Sequence, residues 1–232
     1  MNRNPPLIRL VFLGITLLVL SAVGCGVGLI GGPGVRGSGV KATEARQVGP
    51  FRGIDLRGSL DLDWQQGDKP EVEVIADENL LDLVVTEVRD GTLLVSTRGS
   101  WQSRLGISIR VTSPAIEKMS ISGSGDARLE GLSGPELTLL IRGSGDIVAG
   151  GEVDRLEIKI QGSGDVQAFG LPARLVSVSI AGSGDAEVDV GEALEASIHG
   201  SGDVVYHGEP DRVERQIRGS GDIIHRPHSE PG

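Results

Sequence analysis

A single cysteine, Cys25, among 232 residues leaves no pair for an internal disulfide, so packing and backbone hydrogen bonds must hold the fold. Aromatics are nearly as scarce. Phe12, Phe51, Phe169, Trp64, Trp101 and Tyr206 are too few to line a large aromatic pocket. Basic residues are short as well, 22 Lys and Arg against 32 Asp and Glu. The first 24 residues hold Arg3 and Arg9 and no acid, so the remainder carries 20 against 32, a net −12. That sign repels phosphate backbones and anionic headgroups; nucleic acid is not expected as a partner, and solubility is the plainest role of the charge. The four histidines, His199, His207, His225 and His228, all fall late in the chain, and none has zinc-finger or His-x-x-x-His spacing. No Ser, His and Asp set rises above the repeated background, which leaves nucleophilic catalysis without a candidate.

Glycine is plentiful, at 36 residues, and much of it sits in one phrase. Gly-Ser-Gly-Asp begins at Gly123, Gly143, Gly162, Gly182, Gly200 and Gly219, at separations of 20, 19, 20, 18 and 19 residues. A fixed period near twenty marks a solenoid, whose units bury their apolar faces only against one another. Ahead of successive turns stand Leu137, Leu139, Ile141; Leu156, Ile158, Ile160; Val176, Val178, Ile180; and Leu194, Ala196, Ile198, the period of two of half-buried strands. Each unit therefore reads as strand, turn, strand, corner. At about 3.3 Å per residue a 19-residue unit traces roughly 63 Å, the perimeter of one parallel β-helix coil. Antiparallel stacking of hairpins is the weaker rival, since it gives no reason for every turn to repeat the same letters. The expected fold class is all-β: a parallel β-helix-like solenoid with an N-terminal signal or anchor helix.

Within the phrase, the two glycines are expected to supply positive φ, and Asp to accept hydrogen bonds from donors its own turn leaves unpaired. Stacked in register, Asp126, Asp146, Asp165, Asp185, Asp203 and Asp222 lie about 4.8 Å apart, and each neighbouring pair repels by about 1 kcal/mol even in water. Local donors and solvent would offset this. So would calcium, and the phrase is similar to the Gly-Gly-x-Gly-x-Asp repeat of calcium-binding β-rolls. Those rolls carry ligand loops on both sides of each coil, however, whereas the opposite bends here, 149–152 and 171–174, are dissimilar. No metal or cofactor is expected. The last unit breaks the pattern, with Arg215 at an otherwise apolar position, as a polar end coil should. Earlier in the chain, Ile54, Leu56, Leu60, Leu62 and Trp64 alternate with polar residues, and Asp90-Gly91 predicts a hairpin.

The amino end reads as an export signal. Leu10 to Ile30 carries no charge and follows Arg3 and Arg9. Two readings stay open. In one, small residues before Cys25 mark a lipoprotein signal, with Cys25 the lipidated first residue of the mature chain. In the other, the 21 apolar residues span a bilayer of roughly 30 Å as an uncleaved anchor. Cys25 sits where acylation needs it, which favours the lipoprotein, although Ala22 and Val23 are uncommon there.

Phe51-Arg52-Gly53-Ile54, Asp77-Glu78-Asn79-Leu80-Leu81, the Gly-Ser-Gly-Asp turns and Tyr206-His207-Gly208-Glu209-Pro210 together resemble the bacterial head GIN domain family of auto-transporter adhesins. The resemblance implies an exported, membrane-tethered β-helical domain whose adhesin label rests on analogy, with no catalytic residues to carry over. The expected organisation is a signal peptide or anchor over 1–24, a flexible tether over 25–49, a head GIN-like domain over 50–226 and a tail over 227–232. The expected role is non-enzymatic: a periplasmic or surface module held to the membrane by lipid or anchor, binding an envelope protein or polysaccharide. A saccharide-active enzyme and a purely structural protein are the alternatives; for the enzyme, the repeats offer only Phe169 and Tyr206 as aromatic platforms.

Overall fold

The computed structural model describes residues 34–227. Cys25, His228 and the signal or anchor segment lie outside them. Chain order begins with β1 (Val35–Arg36), β2 (Lys41–Arg46), β3 (Gly53–Gly58), β4 (Asp61–Gln66) and β5 (Glu71–Asp77). A 3-10 helix (Glu78–Leu83) leads to β6 (Val84–Arg89), β7 (Thr92–Thr97), β8 (Trp101–Gln102), β9 (Ser108–Ser113) and β10 (Lys118–Gly123). The repeats follow as β11 (Ala127–Gly143), β12 (Ile147–Gly162), β13 (Val166–Gly182), β14 (Ala186–Gly200), β15 (Val204–His207), β16 (Arg212–Gly219) and β17 (Ile223–His225).

These strands form a β-solenoid of about five turns, and every pairing from β10 to β17 is parallel. Each long strand runs along one flat, slips register at a bend such as that between Leu129 and Leu132, and continues along the second flat to its Gly-Ser-Gly-Asp corner. Alternation puts every second residue inside. One column stacks Ile54, Met119, Leu139, Ile158, Val178 and Ala196; the opposite flat stacks Leu62, Ala127, Ile147, Val166, Ala186 and Val204. All are buried, and the larger ones contribute about 1.5–3 kcal/mol each. Trp64 is fully buried in the core, its indole N–H donating to Ser113 Oγ at 2.8 Å.

Spatial order departs from chain order at the start. The β3–β4 coil lies between the β7–β9 coil and β10–β11, pairing with both. Beyond β7 and β9 the strands turn antiparallel, with β6 on β7, β5 on β9 and β2 on β5, which closes that end of the stack. The Asp90-Gly91 hairpin joins β6 to β7, with φ of 48° and 71° at its two residues.

The tether expected over residues 25–49 gives way from Gly34 onward. β2 alternates half-buried and exposed residues and completes the antiparallel cap on β5, while β1 pairs with β8. The sequence KATEAR has the period of a strand, but its inner positions are the small Ala42 and the charged Glu44 and Arg46, so no apolar stripe advertises it. The Asp77–Leu81 segment fastens this region. Gly39 N–H and the Ser103 hydroxyl donate to the buried Asp77 carboxylate, and Asn79 accepts from Ser38 N–H while donating to Arg36 C=O, both at 2.9 Å.

Candidate functional site

The six predicted aspartates do form a column, but the donors come from the next coil rather than from each residue's own turn. Asp146 N–H donates to Asp126 Oδ1 at 2.9 Å, and the same bond joins Asp165 to Asp146, Asp185 to Asp165, Asp203 to Asp185 and Asp222 to Asp203 at 2.7–2.8 Å. Each carboxylate but that of Asp222, on the last rung, thus meets an N–H dipole from the rung that would otherwise only repel it. The column also extends one rung below the repeats, where Asp126 N–H donates to Asp61 Oδ1 at 3.2 Å. Gly58-Ser59-Leu60-Asp61 is a seventh, altered copy of the corner, aligned by the pairing of Gly58 with Gly123. Its signal in the sequence is Gly-Ser-x-Asp between Ile54, Leu56 and Leu62, Trp64.

Both glycines of the corner lie on the coil beneath, where a Cβ would stand 1.8–2.1 Å from a carbonyl oxygen, but only the first also needs a positive φ. The first has φ of +134° to +146° in all six copies; the second does not lie in the positive region. What forbids a side chain at the second is stacking. A Cβ on Gly164 would stand 2.1 Å from Gly145 O, and one on Gly145 would stand 2.0 Å from Gly125 O. Leu60 is tolerated because the coil beneath it makes a wide excursion between β7 and β9 instead of a tight corner, and the side chain plugs the core. The column is therefore structural in its bonding.

A different cluster brings chemically distinct groups together. Phe169, Asp189 and His207 each stand four residues after a corner Asp, and on β14 and β15 Asp189 pairs with His207. The Phe169 ring, 46% exposed, lies 4.4 Å from the His207 ring at 57°, and His207 Nε2 is 2.8 Å from Glu187 Oε1. Glu187, two residues after Asp185, points from the same flat. The array presents an open aromatic face beside an imidazole fixed by a carboxylate, suited to stacking and hydrogen bonding with a ligand laid on the sheet. Counting from each Asp would have found it in the sequence.

The other expected residues are distributed elsewhere. Tyr206 is buried and accepts from Arg215 Nη2 at 2.6 Å, so it is no open platform. His225 stacks on it at 4.9 Å and bonds Gly208 C=O at 2.8 Å. His199 lies on β14 and registers with Arg218 of β16, apart from His207 on β15. Among the described residues no group of three or more His, Cys, Asp or Glu is placed to hold a metal. On the opposite flat Lys159 approaches Glu157 at 2.6 Å, and that hydrogen bond holds the Glu157 carboxyl below its usual range. No described helix is long and apolar enough to cross a membrane.

Among solved structures, a putative adhesin from Bacteroides fragilis NCTC 9343 superimposes with a TM-score of 0.67 at 24% identity, covering 83% of this chain and 100% of that one. A putative lipid binding protein from Parabacteroides distasonis ATCC 8503 gives 0.56 at 26%, covering 84% and 100%. A putative adhesin from Parabacteroides merdae ATCC 43184 gives 0.53 at 22%, covering 83% and 98%. These likenesses show the solenoid fold. No curated protein matches in sequence. Residues 50–210, which run from the β3 coil through the Phe169–His207 flat, match the family described as putative auto-transporter adhesin, head GIN domain, and the chain belongs to that family.

Proposed function

We propose that the protein is an exported, non-enzymatic binding module, held at the membrane through its amino-terminal segment and contacting a cell-envelope protein or polysaccharide with the flat faces of its solenoid. The observation that carries this is the Phe169, His207 and Glu187 cluster: an exposed ring on a rigid sheet, with polar groups fixed beside it. The adhesin description of the family supports it. Rigidity favours such a role, because a preorganised surface loses little entropy on contact. The lipid-binding name of one structural neighbour belongs to that protein.

Capture of envelope extract on the immobilised full-length chain tests the reading. Phe169→Ala is expected to lower retained material by about fivefold, since aromatic anchors contribute about 1 kcal/mol or more at an interface. Unchanged capture would remove the cluster from the contact. Release of reducing ends from any polysaccharide in the same reaction would replace the module with a saccharide-active enzyme. Weighing the amino-terminal peptide of the native protein tests acylation at Cys25.

A further inference from the structure

The second flat carries an unusual line of charge near its capped end. Arg89 on β6, Thr92 on β7, Gly53 on β3 and Lys118 on β10 are register partners across four strands. Four residues further along, Arg57 on β3, Ser122 on β10 and Arg142 on β11 make a second line. At about 3.3 Å per residue the two lines stand roughly 13 Å apart. Between them lies a cleft of about 340 Å³, with Ser120 in its floor. Its lining holds four cations and two acids, the reverse of the chain's balance of 22 to 32.

Two of these cations are already engaged, Arg57 by Asp55 and Arg89 by Glu87, both at 2.7 Å. Lys118 and Arg142 have no carboxylate at ion-pair distance among the described residues. They stand on the two different lines, so the unengaged positive charge is spread along the cleft. A single small oxyanion cannot reach both lines at once. Along its middle the cleft does not offer what an extended peptide uses, because β3, β7 and β10 each have a partner on both sides; only β6, at its border, ends the sheet. What it does offer is cations on two separated lines, with the Thr92 hydroxyl on the first and, between the lines, the buried Ser120 beside an Asp55 carboxylate already held by Arg57.

From this we infer that the cleft binds an acidic polysaccharide, a chain with carboxylates at intervals and hydroxyls between. The inference rests on the binding-module reading and gives it a ligand class at a second face. The full-length chain is titrated into fluorescein-labelled oligogalacturonate and followed by polarisation. Binding is expected that weakens as salt rises through the range where the Debye length falls to about 10 Å. Lys118→Glu with Arg142→Glu should lower affinity by about tenfold or more, while the charge-matched pair Arg128→Glu with Arg155→Glu should change it by less than about twofold. Lys118→Gln with Arg142→Gln, which removes charge without reversing it, should fall between; far-UV dichroism checks the fold of each.

Absence of binding by the wild type overturns the inference, and so does an equal loss in the control pair. A polyglutamate peptide that binds as tightly with the same dependence on Lys118 and Arg142 makes the ligand an acidic protein instead. Inorganic phosphate that displaces the probe at equal charge concentration reduces the site to a single-oxyanion site. If oligogalacturonate is ignored while Phe169-dependent capture of envelope material persists, this inference fails and the module reading stands. Depolymerisation of the probe removes the module reading itself.

Discussion

Each letter of the corner has its own reason, and the reasons rank. Gly164 cannot become Ala without driving a Cβ to 2.1 Å from the Gly145 oxygen, which is backbone and cannot rotate away. The coils must separate, at a cost of about 3 kcal/mol. Asp165→Ala leaves the Asp185 N–H without its 2.8 Å acceptor, a loss of about 1 kcal/mol at this partly solvated site. Asp165→Asn keeps an acceptor oxygen and removes one like charge from the column, so it should cost less still. Urea unfolding of the three variants should give that order, and a Gly164→Ala variant as stable as Asp165→Asn would undo the stacking account. The repetition of glycine was plain in the sequence, but only half its cause was. Positive φ at the first glycine is a local property that turn chemistry anticipates; the crowding that both glycines relieve comes from the coil beneath, which no single turn reveals.

At the level of elements, period-two alternation located the strands, and the Gly-Ser-Gly-Asp and Asp90-Gly91 phrases located the corners and the hairpin, because each depends on neighbours in the chain. Stacking order did not follow from it. The β3–β4 coil slots between later coils, and its corner had lost the second glycine that marks the others, so Gly58-Ser59-Leu60-Asp61 read as ordinary strand. The strand β2 was hidden for a similar reason: its inner face is small or polar, and its order comes from bonds to residues far along the chain. Its backbone pairs with β5, and Asp77 and Asn79 bind residues 36–39 just ahead of it. Asp77→Ala is thus expected to cost about 2 kcal/mol and to speed amide exchange in residues 34–46. Peptides from β12 to β14 should be unaffected. Equal acceleration there would mean that Asp77 supports the whole stack and not a latch on its first strands.

Across the whole solenoid the two ends are finished by different means. Antiparallel strands cover one, whereas at the other β16 and β17 leave backbone groups unpaired and Ile217 is 43% exposed. An open edge of this kind is a template for a further rung. Arg215 stands where Ala196, Val178 and Ile158 form the core column, its guanidinium 5.5 Å from the Tyr206 ring centre and bonded to the phenol oxygen. A charge over the column makes it costly for another coil to settle there, since that coil would desolvate the guanidinium with no acid opposite. Sequence periodicity exposed this residue as a break in the pattern; its partner Tyr206 became visible only when the last two coils were stacked. Arg215→Leu should continue the apolar column, and sedimentation velocity should show concentration-dependent association stronger than in the wild type. Ile217→Arg, placed on the same end, should reverse that gain when combined with it. If Arg215→Leu sediments as the wild type does at every concentration, the terminal coil is kept apart by something other than this charge.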